Sequence, residues 1–135
     1  MNSIYSHYCS GNAVVAKMLT IYIEEAHAVD EWVLPESEVE VSGETAIPVH
    51  QSISERIAAA RRLVSNRGIL SETVCDSMAG HVSDRYQAWP ERLYIILDGI
   101  VVYKGGNGPF GYKLWEVQEW LGEKYGVRGE SLRKR

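Results

Sequence analysis

Apolar residues cluster in short runs separated by polar turns, and the spacing within each run predicts its element. Ser3 to Ala16 reads as a weak helix interrupted at Ser10-Gly11-Asn12. Met18 to Ile23 is a short run of branched and alternating apolar residues ending abruptly at Glu24 and Glu25, which suits a strand covered on both faces. Val33 to Val49 holds Pro35, Pro48 and the alternation Val39-Glu40-Val41, and reads as a loop or loose hairpin. Ser52-Ile53-Ser54-Glu55 has the form of a capping box. The helix it opens places Ile53, Ile57, Ala60 and Val64 on one stripe and ends near Gly68. Thr73 to Asp76 suits a short strand, and His81 to Trp89 a short helix before Pro90.

The last third has the clearest pattern. Arg92 to Leu97 and Ile100 to Tyr103 are apolar strands around Asp98-Gly99, a pair suited to a tight turn with positive φ at both central residues. A glycine-rich loop follows from Lys104 to Gly111. Tyr112 to Lys124 then reads as a helix with Leu114, Val117 and Leu121 facing inward and Gly126 at its C-terminal cap. This α/β order, ending in a hairpin and a helix, is typical of thioredoxin-like layer folds.

Composition narrows the partners. The chain has 135 residues, 45% of them hydrophobic and 24% charged, with a formal charge of -4. That balance fits one globular domain and argues against nucleic acid or an anionic membrane as the main partner. Arg128 and Arg133-Lys134-Arg135 form a basic C-terminal tail over 128–135, read as solvated. No apolar run approaches the ~20 residues of a membrane span, and no signal-peptide pattern opens the chain. Cys9 and Cys75 form no CxxC or zinc spacing, so neither a metal site nor a disulfide scaffold is expected, and a reducing, cytoplasmic setting is.

The candidate chemistry lies where the first strand ends. Glu24, Glu25 and His27 are either an ordinary polar strand end or a site at the carboxyl end of a strand, where α/β proteins collect ligands. A histidine there titrates near neutrality, and a neighbouring carboxylate would orient it for proton transfer. Composition alone leaves both readings open.

Longer motifs go further. "YIEEAH" with Asp30 and Trp32, then "IPVH" (Ile47 to His50), Ser52, Glu55-Arg56 and "AAARRL" (Ala58 to Leu63) resemble the iodothyronine deiodinases. So do "CDSM" (Cys75 to Met78), "PERLYII" (Pro90 to Ile96), "GIVVYKGGNGPFGY" (Gly99 to Tyr112) and "EVQEWL" (Glu116 to Leu121). They occur in family order, from about Met18 to Tyr125. The resemblance implies a thioredoxin-like selenoenzyme domain over 1–127, reductively removing iodine from thyroid-hormone-type aromatics with a thiol reductant. It implies a homodimer and, for full-length members, a membrane anchor. His27 and Glu25 would be catalytic, supplying and supporting the proton; His50 and Asn107 would bind substrate.

Two departures matter. Glu31 stands where the family has glycine, and Asn107 where hormone-binding members can carry arginine, so the bidentate grip of a guanidinium is lost there. The resemblance places the selenocysteine, with its strand and active-site turn, upstream of Met1. The expectation is therefore a domain incomplete at its N-terminus, as when a UGA codon is read as stop and the chain restarts at the next methionine. Two alternatives remain: a non-catalytic thioredoxin-fold binding or dimerisation module, and a peroxiredoxin-like thiol oxidoreductase using one of the cysteines.

Overall fold

The computed structural model describes residues 1–12, 14–28, 30 and 47–126. The expected loop over 33–49 lies outside the described residues up to position 46, as do Glu31, Trp32 and the basic tail. Among the described residues the chain is mixed α/β, with four helices and two two-stranded sheets. The order is α1 (Asn2–Tyr8), β1 (Leu19–Tyr22), α2 (Ile53–Arg67), β2 (Glu72–Cys75), α3 (His81–Tyr86), β3 (Tyr94–Leu97), β4 (Ile100–Lys104) and α4 (Leu114–Tyr125). No helix among them is long and apolar enough to cross a membrane. The chain divides into two compact units, the first formed by 1–20, 69–72 and 91–135, the second by 21–68 and 73–90.

The first unit has an apolar core. Ile4 and Tyr8, one turn apart on α1, meet Val117 and Leu121, one turn apart on α4. Leu93, Ile95, Tyr103, Leu114 and Trp120 close around them. Tyr8 also caps the next segment, its carbonyl accepting from the Val15 and Ala16 N–H groups at 3.0 and 3.1 Å. The hairpin forms as the sequence predicts: Asp98 and Gly99 take φ of 51° and 79°, and Leu97 pairs with Ile100. A bulge between Ile95 and Ile96 was not visible in the alternation. Tyr103 ties β4 to α4, its hydroxyl donating to Glu116 Oε2 at 2.7 Å; burial, then that carboxylate, push the phenol up to about 12.

The glycine-rich loop folds back on itself. The Gly111 N–H donates to the Asn107 carbonyl at 2.8 Å, and the Gly108 N–H to that of Glu91 at 2.9 Å. A Cβ on Gly111 would lie 2.5 Å from the Asn107 carbonyl oxygen and 2.6 Å from the Gly106 carbonyl carbon. Close backbone approach therefore requires that glycine.

The second unit is built differently. Its buried residues include Ala28, Ala59 and Ala60, but also His50, Arg56, Asp76 and Ser83. The Ser52 cap holds as predicted, Oγ accepting from the Glu55 N–H at 3.3 Å. Glu55 reaches back one residue further than a capping box does, accepting from the Gln51 N–H at 2.6 Å. Gly68 closes α2 in the left-handed region. The predicted apolar stripe is displaced: Ile53 and Ile57 are exposed, and Arg56, Ala59 and Ala60 face inward. An apolar scan skips Arg56, which goes inside because backbone carbonyls receive it.

That reception forms the unit's centre. Arg56 Nη1 donates to the Asp76 carbonyl at 3.3 Å and the Ser77 carbonyl at 2.5 Å. The Asp76 N–H donates to the Tyr22 carbonyl at 2.8 Å. The Asp76 carboxylate, in a residue 2% exposed, accepts from the N–H groups of Ser77, Val82 and Ser83 at 2.7–3.1 Å. The last two belong to the first turn of α3, where a carboxylate meets orphan donors and the positive end of the dipole. Burial raises the Asp76 pKa, but these N–H bonds and the Arg56 charge outweigh it and hold the group below its ordinary value.

β1 pairs with β2. Thr20 Oγ1 meets Ser71 Oγ at 2.6 Å, and Tyr22 meets Asp76 through the backbone, so contacts advance in the same sense along both strands. β1 is shorter and less covered than expected: Leu19 is 53% exposed, and the rest of the strand is half-buried.

Two outcomes follow from this packing. Gly111→Ala should lower the unfolding free energy by about 1–3 kcal/mol, read by denaturant titration, because the added methyl has only backbone to displace. Asp76 carries a depressed folded pKa, so its stabilisation is complete above its unfolded value of 3.8 and is lost as pH falls through that value toward the folded pKa. Asp76→Ala should cost about 3 kcal/mol at pH 7 and remove this acid-sensitive component from a pH series of melts.

Candidate functional site

The site residues sit where β1 ends and α2 begins. Tyr22 closes β1, and the following chain turns through Glu24 and Glu25 to His27 before the buried Ala28. Glu24 is exposed; Glu25 and His27 are half-buried, and both engage neighbouring groups. The chain returns through a clasp, with the Val49 N–H donating to Asp30 Oδ1 at 2.8 Å. This bond fixes the approach to His50, the next residue.

His50 is 8% exposed, and neither ring nitrogen has a hydrogen-bond partner. Its ring centroid lies 5.9 Å from that of Tyr22, with the planes tilted by 43°. The Tyr22 hydroxyl is also buried without a partner. Burial, followed by the Arg56 charge, pushes the His50 pKa below its ordinary value; Arg62 adds to this, and Glu55 opposes it. At neutral pH the imidazole is therefore uncharged, offering one N–H donor and one acceptor.

Of the predicted residues, Glu25, His27 and His50 belong to the second unit, and His50 comes against Tyr22. Asn107 belongs to the first unit. It is exposed at the start of the glycine-rich turn, where its carbonyl accepts from Gly111. Sequence reasoning missed Tyr22, Arg56 and Asp76. The first was in view as the opening residue of "YIEEAH"; Arg56 carried a signal too, as a charge at the helical spacing that includes Ala59 and Ala60.

Neither cysteine is set up as a nucleophile. Cys9 packs against the first unit's core, and burial pushes its thiol up. Burial pushes Cys75 up as well, against the opposing charges of Arg56 and Arg61, and its thiol points to the Arg56 carbonyl at 3.8 Å. A reactive cysteine needs the opposite, a lowered pKa, which weighs against the peroxiredoxin-like alternative.

Comparison with known proteins gives these residues their context. The family model "Iodothyronine deiodinase" matches residues 3–126. The chain is 43% identical over 110 residues to a type I iodothyronine deiodinase of Xenopus laevis, covering 82% of this chain and 40% of that protein. It is 44% identical over 107 residues to a thyroxine 5-deiodinase of Sus scrofa, covering 79% of this chain and 32% of that protein. A thyroxine 5-deiodinase of Homo sapiens is 41% identical over 117 residues, covering 87% of this chain and 36% of that protein. The chain thus spans between about a third and two fifths of the length of these curated relatives. On the family match and these identities, the chain belongs to the iodothyronine deiodinase family.

Proposed function

We propose that this chain forms the substrate-binding and proton-delivering part of a thioredoxin-like deiodinase, which removes iodine reductively from an iodinated aromatic of the thyroid-hormone type. The observation that carries this reading, in a chain of this family, is His50, buried and uncharged with unpartnered nitrogens against Tyr22. The strand–helix–strand unit of β1, α2 and β2, followed by the β3–β4 hairpin and α4, supports the thioredoxin-like assignment.

The division of labour follows from the chemistry. Replacing iodine by hydrogen on an aromatic ring needs a soft acceptor for the halogen, a proton for the carbon and two electrons. The selenol carried by the family would supply the soft acceptor; none of these 135 residues is a selenocysteine. His27 delivers the proton to the ring carbon, with Glu25 orienting the imidazole. His50, being neutral, directs an N–H or a lone pair at an oxygen of the substrate. Asn107 makes a single-point contact where an arginine would make two. Two thiols of the reductant supply the electrons, ending as a disulfide, with iodide and a proton balancing the exchange. Membrane attachment and a homodimer belong to the same reading, as features of full-length members.

In the enzyme containing this chain and the selenocysteine segment, His27→Ala should lower kcat/KM for thiol-dependent iodide release by about 10²–10⁴-fold. Glu25→Gln should lower kcat more than it raises KM, because it acts through His27. Unchanged iodide release in His27→Ala would refute the assignment of the proton donor.

A further inference from the structure

Among the described residues, the buried side-chain polar atoms without a hydrogen-bond partner are Tyr22 Oη, both ring nitrogens of His50 and Arg56 Nε. All belong to the second unit. The three residues are neighbours: the Tyr22 ring lies 5.9 Å from that of His50, the Arg56 charge bears on His50, and Arg56 and Tyr22 both bond the Asp76 backbone. His50 and Arg56 are 8% and 4% exposed. Each buried polar atom left unmatched costs about 1–3 kcal/mol. Folded proteins hold few of them, and their concentration among neighbouring residues calls for a partner that satisfies them.

The character of the cluster is specific. The Tyr22 O–H, the Arg56 Nε–H and one N–H of neutral His50 are all donors. The guanidinium charge is met by the carbonyl oxygens of Asp76 and Ser77. The Asp76 carboxylate is taken up by three backbone N–H groups, and that of Glu55 accepts from the Gln51 N–H. A donor-rich, positively charged and desolvated corner calls for an anionic oxygen. The Tyr22 and His50 rings supply flat apolar faces for an aromatic that carries it.

We infer that Tyr22, His50 and Arg56 form one binding site for the ionised oxygen of a phenol. This assigns ligand-holding roles to Tyr22 and Arg56, and it rests on the proposed function only for the aromatic class of the ligand. Halogens beside a phenolic hydroxyl withdraw charge and acidify it, so an iodinated phenol reaches the site as its phenolate near neutral pH. The groups bearing on His50 are Arg56, Arg62, Glu55 and Tyr22; a bound anion adds a negative charge to this set and favours the imidazolium.

The test is calorimetric titration of the full 135-residue chain at pH 8 with 2,6-diiodophenol, its methyl ether 2,6-diiodoanisole, and benzoate. The phenolate should bind at least tenfold tighter than the ether, and tighter than benzoate. Tyr22→Phe and Arg56→Lys should each weaken phenolate binding by about tenfold while leaving the ether unchanged. The apparent pKa of His50, read by ¹H–¹⁵N spectra, should rise when the phenolate is bound. Equal binding of phenolate and ether, or phenolate binding unchanged in Tyr22→Phe, would overturn the inference; benzoate binding as tightly as the phenolate would overturn the choice of a phenol. Should Arg56→Lys fail to fold, Tyr22→Phe and the ether comparison still decide. Binding is read without turnover, so an absence of deiodination would count against the proposed function alone.

Discussion

The junction between Arg56 and the Asp76-Ser77 backbone holds the second unit together. One guanidinium donates to two carbonyls, one carboxylate accepts from the start of α3, and one backbone bond joins Asp76 to the end of β1. Three helices and strands thus share a polar centre, where the first unit uses an apolar one of Ile4, Tyr8, Val117 and Leu121. A polar centre is costly unless its groups are matched. Asp76 is matched; Arg56 is matched at Nη1 and open at Nε.

That arrangement reaches into the chemistry. The Asp30–Val49 clasp brings the chain back to His50, and burial together with the Arg56 charge keeps the ring neutral. Glu25 and His27 stand on the turn that leaves the strand ending in Tyr22. Under the proposed function, His50 holds an oxygen of the substrate as a neutral imidazole and His27 gives the proton. Burial makes both thiols weaker acids than a free cysteine, which disfavours them as nucleophiles.

Elements governed by local rules could be read from the sequence. Ser52 and Gly68 bounded α2, Asp98-Gly99 made the hairpin, and Leu114, Val117 and Leu121 gave the inward face of α4. Interactions between distant residues were less visible. The α2 stripe was read as Ile53, Ile57, Ala60 and Val64, because a buried arginine is uncommon and its carbonyl partners lie about 20 residues downstream. The bulge at Ile95/Ile96 left no mark in a run of apolar residues. Glu25 and His27 stood out at the end of the first strand, while their roles and His50 came from the family motifs. The partners that set their environment, Tyr22 and Arg56, lay inside those same motifs, but only the fold shows which of their atoms go unmatched.

The central claim is that the fold holds His50 as a neutral imidazole in a desolvated, positively charged corner. The most direct measurement is the pH titration of the His50 ring resonances in the free chain. A midpoint clearly below the ordinary value of 6.5 is predicted, moving up toward it when Arg56 is replaced by methionine. A midpoint at or above 6.5 in the native chain would contradict it.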